Sequence, residues 1–271
     1  YDNWNIINCR WRMDSTIMKT IIITGGTSGI GLNIAEYFYE KDYNIAIAGI
    51  SNKTNLLRLK NKFSKKKSLI LSLDLIKKKN IVKFVKLAKN KFDCIDVLIN
   101  SAGKQHLSPI CKFSDKIWNS IIDINLNTPF MMIKEVLPIM RKNKWGRIVN
   151  ISSVHGSVAS EHKAGYVSSK HGLVGLTKVV ALETAKENIT CNSIGPGFVF
   201  TELVKKQINN ISKKKKISFK KASSNLIKGK HPSMHFIKKN DVSSLTYYLT
   251  TDEASQITGS NLIIDGGWTV Q

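Results

Sequence analysis

The sequence predicts an α/β fold, a doubly wound parallel sheet in one domain with a helical lid over its carboxyl edge. Short apolar runs of strand length alternate with stretches of helical spacing along nearly all of the 271 residues. Strands separated by helices pair in parallel through right-handed crossovers. Several of the runs, IIIT and VLIN among them, are apolar on both faces. Strands covered by helices above and below must read this way.

The first strand is expected at 20–24, and the glycine-rich run after it opens a helix over 29–41. A strand at 44–48 precedes a helix at 54–64, and one at 69–73 precedes a helix at 77–91. Then come a strand at 97–100 with a long helix over 115–141, and a strand at 147–151 with a helix over 166–187. A strand at 189–193, a helix at 240–250 and a strand at 261–264 complete the pattern. The rhythm breaks at 201–235, which hold KKKK at 213–216, a Ser/Lys-rich run, Gly229 and Pro232. A long polar excursion after the carboxyl end of a strand is where lids sit in such sheets, and 201–235 is expected to be one; a disordered insertion is the alternative. Residues 1–17 lack the apolar segment of a secretory signal, and Asp2 and Asp14 do not suit an acid-poor transit peptide. They are read as an extension outside the fold, Met18 as a natural start, and 18–271 as a dinucleotide-binding catalytic domain.

Composition excludes several classes. Apolar residues are 42% and charged residues 23%, a globular balance. No uninterrupted apolar run reaches membrane-spanning length, so no membrane partner is expected. The net charge is +23, yet only five of the 42 basic residues are arginine. Nucleic-acid binders favour arginine for bidentate contacts, and here the lysines spread over several helices, so the charge reads as compositional bias on solvated faces and no nucleic-acid partner is expected. The four cysteines, Cys9, Cys94, Cys111 and Cys191, form no CxxC pair, which suits a reducing, cytoplasmic setting. His162, His171, His231 and His235 are read as exposed and His106 as structural; His231 and His235 are four apart with no third ligand near, so no metal site is expected.

The first chemical motif is Thr24-Gly25-Gly26-Thr27-Ser28-Gly29-Ile30-Gly31, between the first strand and the first helix. Glycines there allow a tight turn, close backbone approach to a pyrophosphate and close helix–strand packing. The helix N-terminus supplies unpaired N–H groups to the phosphates. This context marks a Rossmann-type dinucleotide site.

The second is Ser153, Tyr166 and Lys170. Tyr166 and Lys170, four apart, share one helix face. A phenol titrates near ~10 and is a poor base at neutral pH, but a neighbouring ammonium favours the phenolate. Ser153, at the end of a strand, could hold a substrate oxygen for proton transfer.

With these pieces the chain resembles the short-chain dehydrogenase/reductase family over about residues 18–271. The matching pieces are TGGTSGIG (24–31), Asp74-Leu75, NSAG (100–103), Asn125, ISS (151–153), YVSSK (166–170) and Pro196-Gly197. The resemblance implies that Tyr166 is the acid/base, that Lys170 bonds the nicotinamide ribose and depresses the tyrosine pKa, and that Ser153 orients the substrate oxygen. Asn125 would hold a helix kink and a water leading to Lys170. Gly25, Thr27, Ser28, Gly29, Ile30 and Gly31 would cradle the pyrophosphate. Asp74 and Leu75 would contact the adenine, and Asn100, Ala102 and Gly103 would pass under the adenosine ribose. Pro196, Gly197 and Val199 would flank the cofactor, with Thr201 on the carboxamide. Ser101 departs from the family's usual second Asn.

Within the family, the run 153–185, KQI (206–208), HPSMHF (231–236) and DGGWTVQ (265–271) are similar to bacterial members that oxidise D-3-hydroxybutyrate to acetoacetate. That resemblance implies a carboxylate-binding cluster of Gln105, His155, Lys163 and Gln207, with Trp268 shaping the pocket or reaching a neighbouring subunit of a homotetramer. A buried carboxylate needs a cation and several donors, and Lys163 and His155 could supply charge. Gln207 lies in the expected lid, so substrate could pull it closed. Phe198 and Lys104 depart from that branch. NAD is the expected cofactor: the second strand ends in Gly49-Ile50-Ser51 without the acid that selects NAD or an arginine that selects NADP, and the branch likewise lacks the acid. Lys53 is the counter-argument. A 3-oxoacyl carrier-protein reductase, or a catalytically idle dinucleotide-binding protein, remain the alternatives.

Overall fold

Ile21, Ile22 and Ile23 are fully buried in the first strand, β1 (Thr20–Thr24), and they part company there: Ile21 and Ile23 enter the core on one sheet face, Ile22 the core on the other. The computed structural model describes residues 18–271; the expected extension at 1–17 lies outside the described residues. The further strands are β2 (Asn44–Gly49), β3 (Ser68–Ser72), β4 (Val97–Asn100), β5 (Gly146–Ile151), β6 (Ile189–Pro196) and β7 (Asn261–Ile264). All pair in parallel, in the order β3-β2-β1-β4-β5-β6-β7. Helices α1 (Gly29–Glu40), α2 (Lys53–Lys62) and α9 (Lys239–Tyr248) cover one face, where Ile34, Phe38, Leu59 and Val242 are buried. Helices α3 (Lys78–Phe92), α5 (Thr128–Asn143) and α6 (Ala164–Glu183) cover the other with Phe84, Met132, Val136 and Val180. This is the predicted doubly wound sheet. The order reverses between β1 and β4, and ligands of such sheets bind in the crevice outside that point.

The long helix expected over 115–141 is divided. Helix α4 (Asp115–Ile122) passes through a single π turn, Asp123–Asn127, before α5 begins. The apolar pattern continues through the turn, so sequence spacing did not reveal it; such turns recur at functional sites. The excursion at 201–235 holds two helices, α7 (Glu202–Lys215) and α8 (Phe219–Ile227). Each starts on a hydroxyl cap: Val204 N–H donates to Thr201 Oγ1 at 3.4 Å and Lys221 N–H to Ser218 Oγ at 3.2 Å. Val204, Ile208 and Ala222 form a small core of their own between the pair. Among the described residues, no helix is long and apolar enough to cross a membrane.

Candidate active site

A cavity of about 390 Å³ opens at the carboxyl ends of the central strands. The β1–α1 turn forms one wall. Gly25 (φ +69°) and Gly29 (φ +58°) take left-handed backbone conformations that glycine adopts without strain. A Cβ on Gly31 would lie 2.5 Å from the Gly25 carbonyl oxygen, so helix and turn could not approach as they do. Above Gly29 nothing lies within 4 Å of a Cβ position: the turn leaves a bare cradle facing the cavity. Ser28, Gly29, Ile30, Gly31, Ala102 and Gly103 line this half, and Pro196, Gly197, Val199 and Thr201 its far side. Thr27 lies behind the turn, its hydroxyl toward the Ile50 carbonyl at 3.5 Å. Asn100 donates to Asn150 Oδ1 at 2.8 Å, while its own Oδ1 is buried without a partner. Asp74 and Leu75 are not on the cavity wall; the Asp74 carboxylate accepts from Ile76 N–H at 3.2 Å and Leu75 is buried in the core.

Ser153, Tyr166 and Lys170 meet at the centre of the cavity. Ser153 sits just past β5, and Tyr166 and Lys170 share a face of α6. Burial pushes the Tyr166 phenol up from its ordinary value, and a hydrogen bond with Ser153 opposes the rise. The ammonium of Lys170 stands 5.7 Å from the Tyr166 ring and donates to the Ile151 carbonyl at 2.7 Å. Burial lowers Lys170 to about 8. Lys170, expected to depress the tyrosine pKa, thus stands near the ring and is anchored to backbone, and Ser153 adds a hydrogen bond that favours the phenolate.

Asn125 sits inside the π turn, fully buried. Its Oδ1 accepts from Lys104 N–H at 2.9 Å, and its amide donates to the Lys104 carbonyl at 3.0 Å and to Ser169 Oγ at 2.9 Å. Ser169 donates to the Tyr166 carbonyl at 2.8 Å. Asn125 thus ties the loop after β4 to the helix that carries Tyr166 and Lys170. Lys104 bonds Ser120 through its ammonium.

The expected substrate residues Gln105, His155, Lys163, Gln207 and Trp268 line the same cavity. Lys163 is the N-cap of α6; burial and the charge of Lys230 lower it to about 8. His155 is pinned between Ser153 Oγ at 3.3 Å and Ser160 Oγ at 2.9 Å. Burial, followed by Lys163 and Lys230, drops it to about 3. A neutral imidazole supplies no charge, which corrects the expectation that His155 shares the cationic role with Lys163. His231, read as exposed, is fully buried: its Nε2 accepts from Phe198 N–H at 3.0 Å and its Nδ1 faces the His235 carbonyl at 2.8 Å. The ring of His231 stacks on Phe198 at 5.8 Å, and Phe198 on Trp268 at 5.4 Å.

At the adenosine end, Ile50 is 79% exposed beside Gly49 and Ser51. Sequence reading weighed Lys53 and overlooked Arg58. On α2, Arg58 donates to Asn55 Oδ1 at 3.0 Å, and the Asn55 amide bonds Ser51 Oγ at 2.8 Å and the Thr27 carbonyl at 3.1 Å. Among the described residues no cluster of three metal-ligating side chains occurs.

Known proteins resemble this chain over most of its length. A family model described as short chain dehydrogenase matches residues 19–212. A D-beta-hydroxybutyrate dehydrogenase of Rhizobium meliloti is 40% identical over 93% of this chain and 99% of its own length. One of Cupriavidus necator is 38% identical over 93% and 98%. A 3-oxoacyl-acyl-carrier-protein reductase of Buchnera aphidicola is 34% identical over 92% and 96%. Among solved structures, an actinorhodin polyketide ketoreductase with NADPH superposes with a TM-score of 0.85 at 28% identity, covering 93% of this chain and 97% of that one. A 4-hydroxyisoleucine dehydrogenase complexed with NADH gives 0.77 at 34%, covering 93% and 99%.

Proposed function

The chain belongs to the short chain dehydrogenase family and is an oxidoreductase of that family, and we propose that it oxidises D-3-hydroxybutyrate to acetoacetate, reversibly, with NAD. One observation carries the reading: Gln105, His155, Lys163, Gln207 and Trp268 face the same cavity as Ser153, Tyr166 and Lys170. A small hydroxy acid needs both its carboxylate and its hydroxyl held, and a cation with neutral donors suits a carboxylate.

The bare cradle over Gly29 and the close approach of Gly31 to the turn fit a dinucleotide pyrophosphate, with the N–H groups opening α1 as donors. When bound, the nicotinamide cofactor supplies the hydride acceptor. Ser153 orients the substrate hydroxyl, and the Tyr166 phenolate takes its proton. Lys170, fixed on the Ile151 carbonyl, holds positive charge beside the phenol ring. Asn125 keeps the loop after β4 in register with α6. Lys163 pairs with the carboxylate, Gln105 and Gln207 add donors, and Trp268 and Phe198 give an apolar side wall. Helix α7, which carries Gln207, acts with α8 as the lid. The uncharged Gly49-Ile50-Ser51 floor supports NAD, with Arg58 engaged by Asn55.

A carrier-protein reductase is the second reading, favoured by the similarity to the Buchnera aphidicola protein. The test is appearance of NADH absorbance when D-3-hydroxybutyrate is added to the protein with NAD. Activity on the D acid and not on its L enantiomer is expected; no activity on either overturns the proposal.

A further inference from the structure

Lys230 belongs to none of the groups assigned above and does not itself line the cavity, yet its ammonium lies over two rings that do. It follows Gly229 (φ +73°) at the end of α8, and its backbone N–H donates to the Ile227 carbonyl at 3.0 Å. Its ammonium lies 5.1 Å from the Trp268 ring and 5.6 Å from the Phe198 ring. Both rings line the cavity, and Trp268 meets the edge of His155 at 5.4 Å. The two rings pack with the buried His231 in a three-ring cluster, in which Phe198 stacks on both Trp268 and His231 and the His231 and Trp268 rings are themselves 5.8 Å apart. Among the described residues, neither Lys230 nor Lys163 makes an ion pair. The acidic groups nearby are engaged elsewhere: Glu202 on the cavity wall pairs with Lys205, and Asp265 accepts from Gly267 N–H, Thr269 N–H and the Thr269 hydroxyl.

We propose that Lys230, laid on the Trp268–Phe198 wall, is a second cationic determinant of this pocket, selecting carboxylate substrates together with Lys163. The proposal rests on the small-hydroxy-acid reading above and deepens it. The rings hold the ammonium behind the cavity wall, near enough for its charge to act on Lys163 and His155, and cation–π attraction keeps it there against repulsion from Lys163. Two cations without a carboxylate partner leave a positive potential that an anionic ligand relieves and a neutral one does not. Burial is the larger reason that Lys163 is easier to deprotonate, and the charge of Lys230 adds to it. The titratable and charged groups around this pair are His155 from the turn after β5, Tyr166 and Lys170 from α6, Glu202 from α7, Asp265 after β7 and His231 from Lys230's own segment.

Lys230→Met therefore has two effects of opposite sign. At neutral pH it raises KM for D-3-hydroxybutyrate by about two- to fivefold, the range of a solvent-screened charge pair, and leaves kcat and the KM of an uncharged secondary alcohol unchanged. At alkaline pH it moves the limb at which KM rises to higher pH, because Lys163 keeps its proton longer. A merely structural loss would weaken charged and uncharged substrates alike and would not move the limb upward. Lys230→Arg restores both behaviours. Acetate binding to the NAD-loaded protein, followed by calorimetry, gives the same comparison without turnover. A wild type inactive on hydroxybutyrate whose acetate affinity still depends on Lys230 supports this proposal and overturns the substrate reading. An active wild type whose KM and alkaline limb are indifferent to Lys230→Met overturns this proposal alone.

Discussion

Lys163→Ala isolates the carboxylate contact from the proton-transfer machinery. Lys163 lies at the pocket wall at the start of α6, and its pKa of about 8 leaves roughly nine-tenths of it charged at pH 7. A hydrogen bond to a charged group is worth about 1.5–3 kcal/mol. Removing it should raise KM for D-3-hydroxybutyrate by roughly 10- to 150-fold at pH 7 and leave an uncharged alcohol of similar size almost untouched. The pH dependence adds a second constraint. The carboxylate binds the ammonium form, so wild-type KM should climb as pH rises through about 8. At pH 9 only about a tenth of Lys163 carries its proton, whereas the alanine variant has nothing to titrate there. The ratio of variant to wild-type KM should therefore fall about tenfold between pH 7 and pH 9. Initial rates over that range, with both substrates and saturating cofactor, measure it. Equal losses for charged and uncharged substrates, or a ratio constant with pH, would refute the assignment.

Tyr166→Phe should lower kcat by about 10²- to 10⁴-fold with cofactor affinity nearly unchanged, since it removes only the proton carrier; fluorescence titration with NADH checks the second half. Ser153→Ala should shift the acid limb of kcat/KM for oxidation to higher pH, because the active phenolate loses the hydrogen bond that counters its burial. A limb that stays put would leave Ser153 with orientation alone. NAD should be preferred over NADP by at least about tenfold in kcat/KM, about 1.4 kcal/mol, in paired assays at matched salt. An NADP preference that disappears in Lys53→Ala or Arg58→Ala would reverse this and name the residue responsible.

Much of the architecture was legible because the signals were local. The run TIIIT, apolar on both faces, and the glycines at 25, 29 and 31 define β1 and its turn with no reference to the rest of the chain. Most pocket residues were legible through resemblance: spacing puts Lys163 near the end of the helix that carries Tyr166, but nothing in the sequence spacing brings Gln105 and Gln207 to the same cavity. What stayed hidden depends on tertiary packing. A kink at Asn125 was implied by the resemblance, but its form, a π turn, was hidden, because an ordinary helical apolar pattern continues on both sides. The lid was expected to be helical, but the bounds of α7 and α8 and their shared core were not legible, because both are Lys-rich and their few apolar residues read as isolated until Val204, Ile208 and Ala222 come together. His231 looked solvated because its partners, Phe198 N–H and the His235 carbonyl, are backbone groups. Lys230 was one lysine among many until Trp268, far along the chain, came to lie beneath it.

The central claim is that the pocket clamps a free carboxylate and not a thioester on a long arm. The direct test is to measure kcat/KM with NADH for acetoacetate and for an acetoacetyl thioester of phosphopantetheine in the same assay. The account predicts that acetoacetate is reduced at least about tenfold more efficiently, the worth of one charge-assisted contact. Preference for the thioester, with acetoacetate reduced poorly or not at all, would contradict it.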